Sequence, residues 1–253
     1  MRLLNRRVIG VALAVVVFLW SWTFLDHWFY AKNQISDIAV YQQYGVGMHD
    51  GHVPYRDFAV DYPPASLPVF VLPTFGAKTT ELDGSVELGN YGRWFARLMG
   101  ACGLALLVFV MLARPPSRAV WLVAVSPLVV GQLMADRFDL WPAALVAAAV
   151  AAFVRDRHRL GYLALAVAFS AKLFPAVLLP LAAIWTFRRH GRAELTRGLA
   201  IFAAAAAAIF VPFAVLAPHG VWETIWGQAE RPIQIESLAG SYLTTFANPS
   251  VIF

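Results

Sequence analysis

Three side chains carry the types and settings that chemistry would need: Asp37, Arg137 and Lys172. Asp37 opens the stretch Ser36-Asp37-Ile38-Ala39-Val40-Tyr41, in a segment that also holds Asp26, Asp50, Asp57 and Asp61. Carboxylates gathered beside an apolar run suit a cation site or a general base. Ser36 can cap a helix on which Ile38, Tyr41, Gly45 and Met48 share one face. Asp37 then falls in the first turn, where the helix dipole favours a carboxylate, so spacing alone fits either a helix-start residue or a base. Arg137 lies in the hairpin Gln132 to Pro142, between Asp136 and Asp139. Such a group forms either a solvated turn with a local ion pair or a phosphate clamp with a carboxylate orienting the guanidinium. Lys172, in Ser170-Ala171-Lys172-Leu173-Phe174-Pro175, interrupts an apolar run. It either snorkels or faces an anionic head group where Pro175 disturbs the helix. Arg231 and Glu236 sit in a polar segment after the last apolar run, and a plain loop explains them equally well.

The elements that position these residues are membrane helices. The chain has 253 residues, 60% hydrophobic and 14% charged, with a mean hydropathy of +0.62. Soluble domains run near 45–50% apolar and about 25% charged. The net charge of +5 is spread in short clusters between apolar runs, which is a topology signal and not a nucleic-acid footprint. Cys102, the one cysteine, gives no disulfide framework. No Gly-rich phosphate loop, zinc-spaced His/Cys set or nucleophile elbow is present, and His158 and His190 fall in basic clusters. The N-terminal apolar run exceeds the roughly 7–15 residues of a signal peptide and lacks a small-x-small site, so it reads as a retained span.

Candidate spans are Val8–Leu25, Trp94–Ala113, Ala119–Met134, Leu140–Val154, Leu160–Ala171, Leu173–Phe187 and Gly198–Ala217. Several fall short of the roughly 20 residues a bilayer core needs, which suits a packed bundle. Ala65–Phe75, interrupted by Pro68 and Pro73, reads as a helix at the interface. With the N-terminus in the cytoplasm and seven crossings, the inner segments carry twelve arginines and two acids, the outer ones eight basic residues and thirteen acids. That satisfies the positive-inside rule. Asp37, Asp61, Asp136, Arg137, Asp139, Lys172, Arg231 and Glu236 then share the outer face. Ionisable groups near membrane depth are costly and mark a functional site. The expected architecture is an all-α integral membrane protein of about seven transmembrane helices. It forms one polytopic domain over residues 1–253, with a long first outer loop (26–93) carrying short interfacial helices and an outer tail (218–253).

The loop Asp37…Tyr41…Gly51-His-Val-Pro54-Tyr55…Asp57-Phe58…Tyr62-Pro63-Pro64 resembles that of the polytopic glycosyltransferases of the GT-C superfamily, most closely glycosyltransferase family 87. Arg137-Phe-Asp139-Leu-Trp-Pro142 and Ala171-Lys172-Leu173-Phe174-Pro175 resemble that family's later motifs. The order of elements is similar too: one span, a long outer loop with surface helices, then six more spans. The resemblance implies a mannosyltransferase that uses a polyprenyl-phosphate sugar donor, with Asp37 in the place of the loop-one catalytic Asp. Asp61 departs from the family pattern, which often has an apolar or aromatic residue before Tyr-Pro-Pro. The chain stops at Phe253, where members of that family continue into more spans, which implies a partial sequence.

The expected reaction is an inverting displacement at the outer face of the plasma membrane. Asp37 takes the proton of a lipid or glycan acceptor, and fixed cations stabilise the departing polyprenyl phosphate. Arg137, Lys172 and Arg231 are the phosphate-binding candidates. Tyr41, Asp61, Tyr62, Gln132, Asp136, Asp139 and Glu236 are the substrate-binding ones. No cofactor is required, although Asp37, Asp136 and Asp139 would be able to host a divalent metal. Partners are the donor, the acceptor and membrane lipids, with no nucleic acid. The competing class is a non-enzymatic transporter or lipid-binding membrane protein. A transporter usually shows internal repeats and midplane charges, and neither is visible here.

Overall fold

A computed structural model describes residues 2–25, 36–77, 81–82, 85–86, 90–230 and 242. The described residues are almost wholly helical. Helix α1 (Arg2–Trp22) precedes α2 (Ile38–His49) and α3 (Leu67–Val71), the latter flanked by 3₁₀ turns at Pro64–Ser66 and Leu72–Phe75. A two-residue hairpin, β1 (Glu81–Leu82) antiparallel to β2 (Ser85–Val86), leads to α4 (Tyr91–Leu112). Then come α5 (Ser117–Val130), the single turn α6 (Leu133–Asp136), α7 (Leu140–Val154), α8 (His158–Ala171), α9 (Leu179–Leu216) and α10 (Pro218–Glu230).

Each predicted span coincides with helix, but the boundaries differ for local reasons. The predicted span to Met134 ends at Val130, because Gly131 takes φ 72° and α6 turns away. The predicted span from Leu173 opens on a 3₁₀ segment, Phe174–Leu178, because Pro175 supplies no amide donor. The last two predicted spans are halves of α9, broken where Gly191 adopts φ 79°, a conformation that L side chains rarely enter. Among the described residues two helical stretches, Tyr91–Leu112 and Phe174–Leu216, are long and apolar enough to cross a membrane. Large apolar side chains lie open on the helix flanks, including Leu122, Val129, Val177, Leu181 and Val215. Soluble proteins rarely leave so much apolar surface bare, and the chain is a membrane protein.

The helices run between two chemically different ends. At one end Tyr91, at the start of α4, donates its hydroxyl to the Phe70 carbonyl at 2.8 Å. At the other, Arg155 Nε after α7 donates to the Leu112 carbonyl that closes α4, at 2.9 Å. Between the ends the core is aliphatic and aromatic: Phe18 of α1 meets Leu107 of α4 and Ala124 of α5, and Tyr162 of α8 meets Ala149 of α7 and Ala182 of α9. The buried Ser21 hydroxyl of α1 is satisfied by the Phe18 and Ala124 carbonyls.

The Arg155 end is a basic knot. Glu194 accepts from His158 at 2.7 Å and Arg159 at 2.8 Å, and it pairs with Arg197. Asp156 pairs with Arg189 at 2.9 Å. The Tyr91 end carries α2, α3, α6 and α10, with Asp37, Asp61, Asp136 and Asp139. Gly45 lets α2 press onto α3: a Cβ there would lie 2.3 Å from the Phe70 carbonyl oxygen.

Candidate functional site

Helix α2 begins one residue later than the sequence predicts, so that Asp37 stands at its N-cap position and not in its first turn. Asp37 is the N-cap residue with no side-chain capping bond. The Ser36 hydroxyl oxygen instead accepts from the Ile38 amide at 3.3 Å. This frees the Asp37 carboxylate, and its Oδ2 receives two donors. Tyr41, one helical turn on, donates its hydroxyl at 3.1 Å. Arg137 Nη1, exactly 100 residues later in the chain, pairs with the same oxygen at 3.2 Å. The two side chains of that pair are 25% and 20% exposed, so the carboxylate is sheltered yet reachable.

Local backbone explains how Arg137 arrives there. α6 ends after Asp136, and Arg137 takes an extended conformation (φ −114°, ψ 143°) at its C-cap. A carboxylate that orients Arg137 is therefore supplied by Asp37, a partner that the local hairpin does not reveal. Asp139, the N-cap of α7, pairs with Lys172, the C-cap of α8. Lys172 Nζ also sits 5.3 Å from the centroid of the Phe138 ring, a cation–π contact. Phe138, which is 1% exposed, stands in the chain between Arg137 of one ion pair and Asp139 of the other.

Phe138 belongs to an aromatic nest. Its ring meets Tyr41 at 5.8 Å, Tyr62 at 4.7 Å and Phe70 at 5.4 Å, all edge-to-face. Tyr41 also stacks on Phe70 at 4.7 Å and Phe95 at 5.3 Å. Burying each large ring is worth ~1.5–3 kcal/mol, with ~0.5–1.5 kcal/mol more for each aromatic pair. Burial raises the Tyr41 hydroxyl well above the ordinary tyrosine range, with Tyr62 and Asp37 adding to it. It stays protonated and acts as a fixed donor to Asp37. Tyr41 is 1% exposed, and its hydroxyl is held against the Asp37 carboxylate.

The loop after Phe58 is pinned from three sides. Thr224 of α10 donates to the Val60 carbonyl at 2.7 Å, and Gln228 to the Asp61 carbonyl at 2.7 Å. Trp141 of α7 donates to the Ala65 carbonyl at 3.0 Å, and Tyr55 to the Tyr62 carbonyl at 2.7 Å. Asp61 is exposed and accepts from Tyr44 at 3.3 Å; burial, reinforced by the Asp61 charge, pushes the Tyr44 hydroxyl up to about 12. Tyr62 is half-buried in the nest, Gln132 is half-buried with its Oε1 enclosed, and Asp136 is buried at 8%. Asp136 therefore does not share the open face with Asp139. Arg231, Glu236 and Asp26 lie outside the described residues.

Among the described residues no three His, Cys, Asp or Glu side chains gather as a metal ion would require. Asp37, Asp136 and Asp139 do not form the trio that the sequence left open, because Asp37 and Asp139 turn to separate cations. Two structural contributors were missed in the sequence. Phe138 was readable only as the apolar residue between Arg137 and Asp139, and Gln228 carried no signal because its partner is a main-chain carbonyl.

A cleft of about 730 Å³ opens beside the pinned loop. Its walls are apolar: Pro64, Leu67 and Val71 on one side, Trp141 and Val167 of the bundle, and Ile209 and Phe213 of α9 on the other.

Comparison with protein-family models matches residues 60–244 to glycosyltransferase family 87. No curated protein and no solved structure matches the chain. The family match takes in Arg137, Asp139, Lys172 and the pinned loop, and begins after α2 and Asp37. It covers well over half of the sequence, and the chain belongs to glycosyltransferase family 87.

Proposed function

We propose that this member of glycosyltransferase family 87 moves a hexose, mannose in the favoured reading, from a polyprenyl phosphate to a lipid or glycan acceptor, with Asp37 as general base. The observation that carries the reading is the asymmetry of the Asp37 carboxylate. Two donors on separate elements, Tyr41 and Arg137, converge on Oδ2, and capping makes no use of the side chain. A base needs an oriented carboxylate with an oxygen left for the substrate. Here Oδ1 accepts the proton of the acceptor hydroxyl. The acceptor oxygen attacks the anomeric carbon, and the anomeric C–O bond to phosphate breaks. The polyprenyl phosphate leaves with the bonding pair, and the configuration inverts.

The leaving phosphate is stabilised by Arg137 and Lys172. Both carry a full positive charge at the Asp37 end of the molecule, where charge-assisted hydrogen bonds to phosphate are strongest. The apolar cleft takes the isoprenoid tail, which enters sideways from the bilayer between the first loop and α9. The Asp37 end faces outward and the arginine-rich Arg155 end faces the cytoplasm, the orientation that the positive-inside rule favours, in a seven-span chain of the plasma membrane. The test is turnover of a polyprenyl-phosphate mannose donor by the chain in nanodiscs, for wild type and Asp37→Asn. Donor consumption that depends on acceptor and is lost in Asp37→Asn supports the assignment. Equal turnover by the two proteins overturns it.

A further inference from the structure

Helix α10 carries a feature that the proposed chemistry does not use. Trp222 and Trp226 lie one turn apart with rings 5.8 Å between centroids and 14° between planes. They are 60% and 51% exposed, whereas Val221 and Thr224 of the same helix are buried. The pair is held in place. Trp226 Nε1 donates to Glu230 at 2.6 Å, and the helix is fixed to the first loop through Thr224 and Gln228. That loop is the one whose Tyr62 packs on Tyr41 at 5.9 Å, directly behind Asp37.

An exposed Trp pair near a membrane has two common uses: seating a helix among lipid head groups, or stacking on the C–H faces of sugar rings. Charge decides between them. Helices that lie on membranes have polar faces rich in Lys and Arg. From Pro218 to Glu230 there is neither, and the acids are Glu223 and Glu230. Glu223 is 67% exposed and meets His219 at 3.3 Å. The Trp226 indole N–H, which a head-group anchor would offer to lipid, is already taken by a carboxylate. Near-parallel indoles rimmed by carboxylates match a neutral, polyhydroxylated chain: ring C–H groups rest on the π faces and hydroxyls donate to the acids.

We infer that the Trp222–Trp226 face of α10 is a binding platform for the glycan part of the acceptor, a chain of neutral hexoses. The inference rests on the glycosyltransferase reading of the same end of the molecule and narrows its acceptor to a carbohydrate.

The test is binding, measured apart from turnover. The full chain in phosphatidylcholine nanodiscs is titrated with α-linked mannotetraose and, in parallel, maltotetraose, by saturation-transfer NMR. The expected result is weak binding of at least one oligosaccharide, with Kd raised tenfold or more in Trp222→Ala/Trp226→Ala and raised less in Trp222→Phe, which keeps an aromatic face. Turnover is scored separately: oligosaccharide binding by the wild-type chain, with Asp37→Asn turning over as fast as wild type, would break the catalytic reading and not this one. A wild-type chain that binds neither oligosaccharide overturns the platform, as does equal binding by the Trp double variant with an unchanged melting profile. Quenching of indole fluorescence by shallow-brominated phosphatidylcholine, if the double variant removes most of it and leaves oligosaccharide binding intact, assigns the pair to lipid and overturns it as well.

Discussion

Asp37→Asn separates a base from an anchor. Asparagine keeps the size of the side chain and an oxygen that Tyr41 and Arg137 can still reach, so what disappears is charge and basicity. The structural cost follows from exposure. An open pair is worth ~0–1 kcal/mol, while breaking a buried one costs ~3–5 kcal/mol. With side chains 25% and 20% exposed, the Asp37–Arg137 pair falls between, at about 1–2 kcal/mol. The chemical cost is larger: losing acid–base help lowers turnover by about 10²–10⁴, or ~2.7–5.5 kcal/mol of barrier. The assay is turnover at saturating donor and acceptor, with thermal melting beside it. The expected pattern is a modest loss of stability and a collapse of turnover. Tyr41→Phe is the companion, since it removes one donor from Oδ2 and leaves the stacked ring. It should cost about tenfold, within the ~0.5–1.5 kcal/mol of a typical hydrogen bond. Turnover of Asp37→Asn near that of wild type refutes the base. Equal losses in Asp37→Asn, Tyr41→Phe and Arg137→Gln refute it too, because they would make Asp37 one strut of a structural network.

Lys172→Gln should weaken polyprenyl-phosphate binding in nanodiscs by about one to two orders of magnitude, the worth of a charged hydrogen bond; unchanged affinity would leave Lys172 as the snorkelling partner of Asp139. Asp50→Cys should react with an impermeant thiol reagent from outside and Arg192→Cys only from inside, on a chain whose native Cys102 is buried; the reverse pattern would turn the proposed orientation over. These positions are chosen because Gly51 and Gly191 have φ of 87° and 79° and would be strained by a side chain. The Arg56 guanidinium and the Val53 amide hold the Asp57 carboxyl down to about 2. A depressed pKa contributes order that is complete above the ordinary carboxylate range and fades as pH falls through about 2. Exchange of the Val53 amide, which donates to Asp57 Oδ2 at 2.7 Å, should therefore quicken, after correction for intrinsic rates, as pH drops from 4 towards 2. A flat profile would mean that the turn is held by its backbone alone.

The long helices were largely legible in the sequence because each is a local object: an apolar run bounded by charge, such as Leu140–Val154 between Asp139 and Arg155. Asp37, Arg137, Asp139 and Lys172, the candidates that the structure gathers into two ion pairs, stand out in the sequence as ionisable residues in costly places. Their pairing does not. Arg137 has two carboxylates within two residues, and nothing in the hairpin shows that Asp37 also pairs with it. The Arg137 backbone leaves α6 extended and brings the guanidinium to Asp37 at the start of α2, while Asp139, at the start of α7, pairs with Lys172. Both choices are made by packing, since α2 can approach only where Gly45 yields room to Phe70 and where Phe138 fills the nest beside Tyr41. The aromatic nest thus does two things with one set of contacts. It buries the tyrosine that donates to Asp37, and its Phe138 ring meets the Lys172 ammonium that pairs with Asp139. A larger side chain at Gly45 should therefore strike both ion pairs at once while touching neither, which links the small residue on α2 to the chemistry proposed for its N-cap residue.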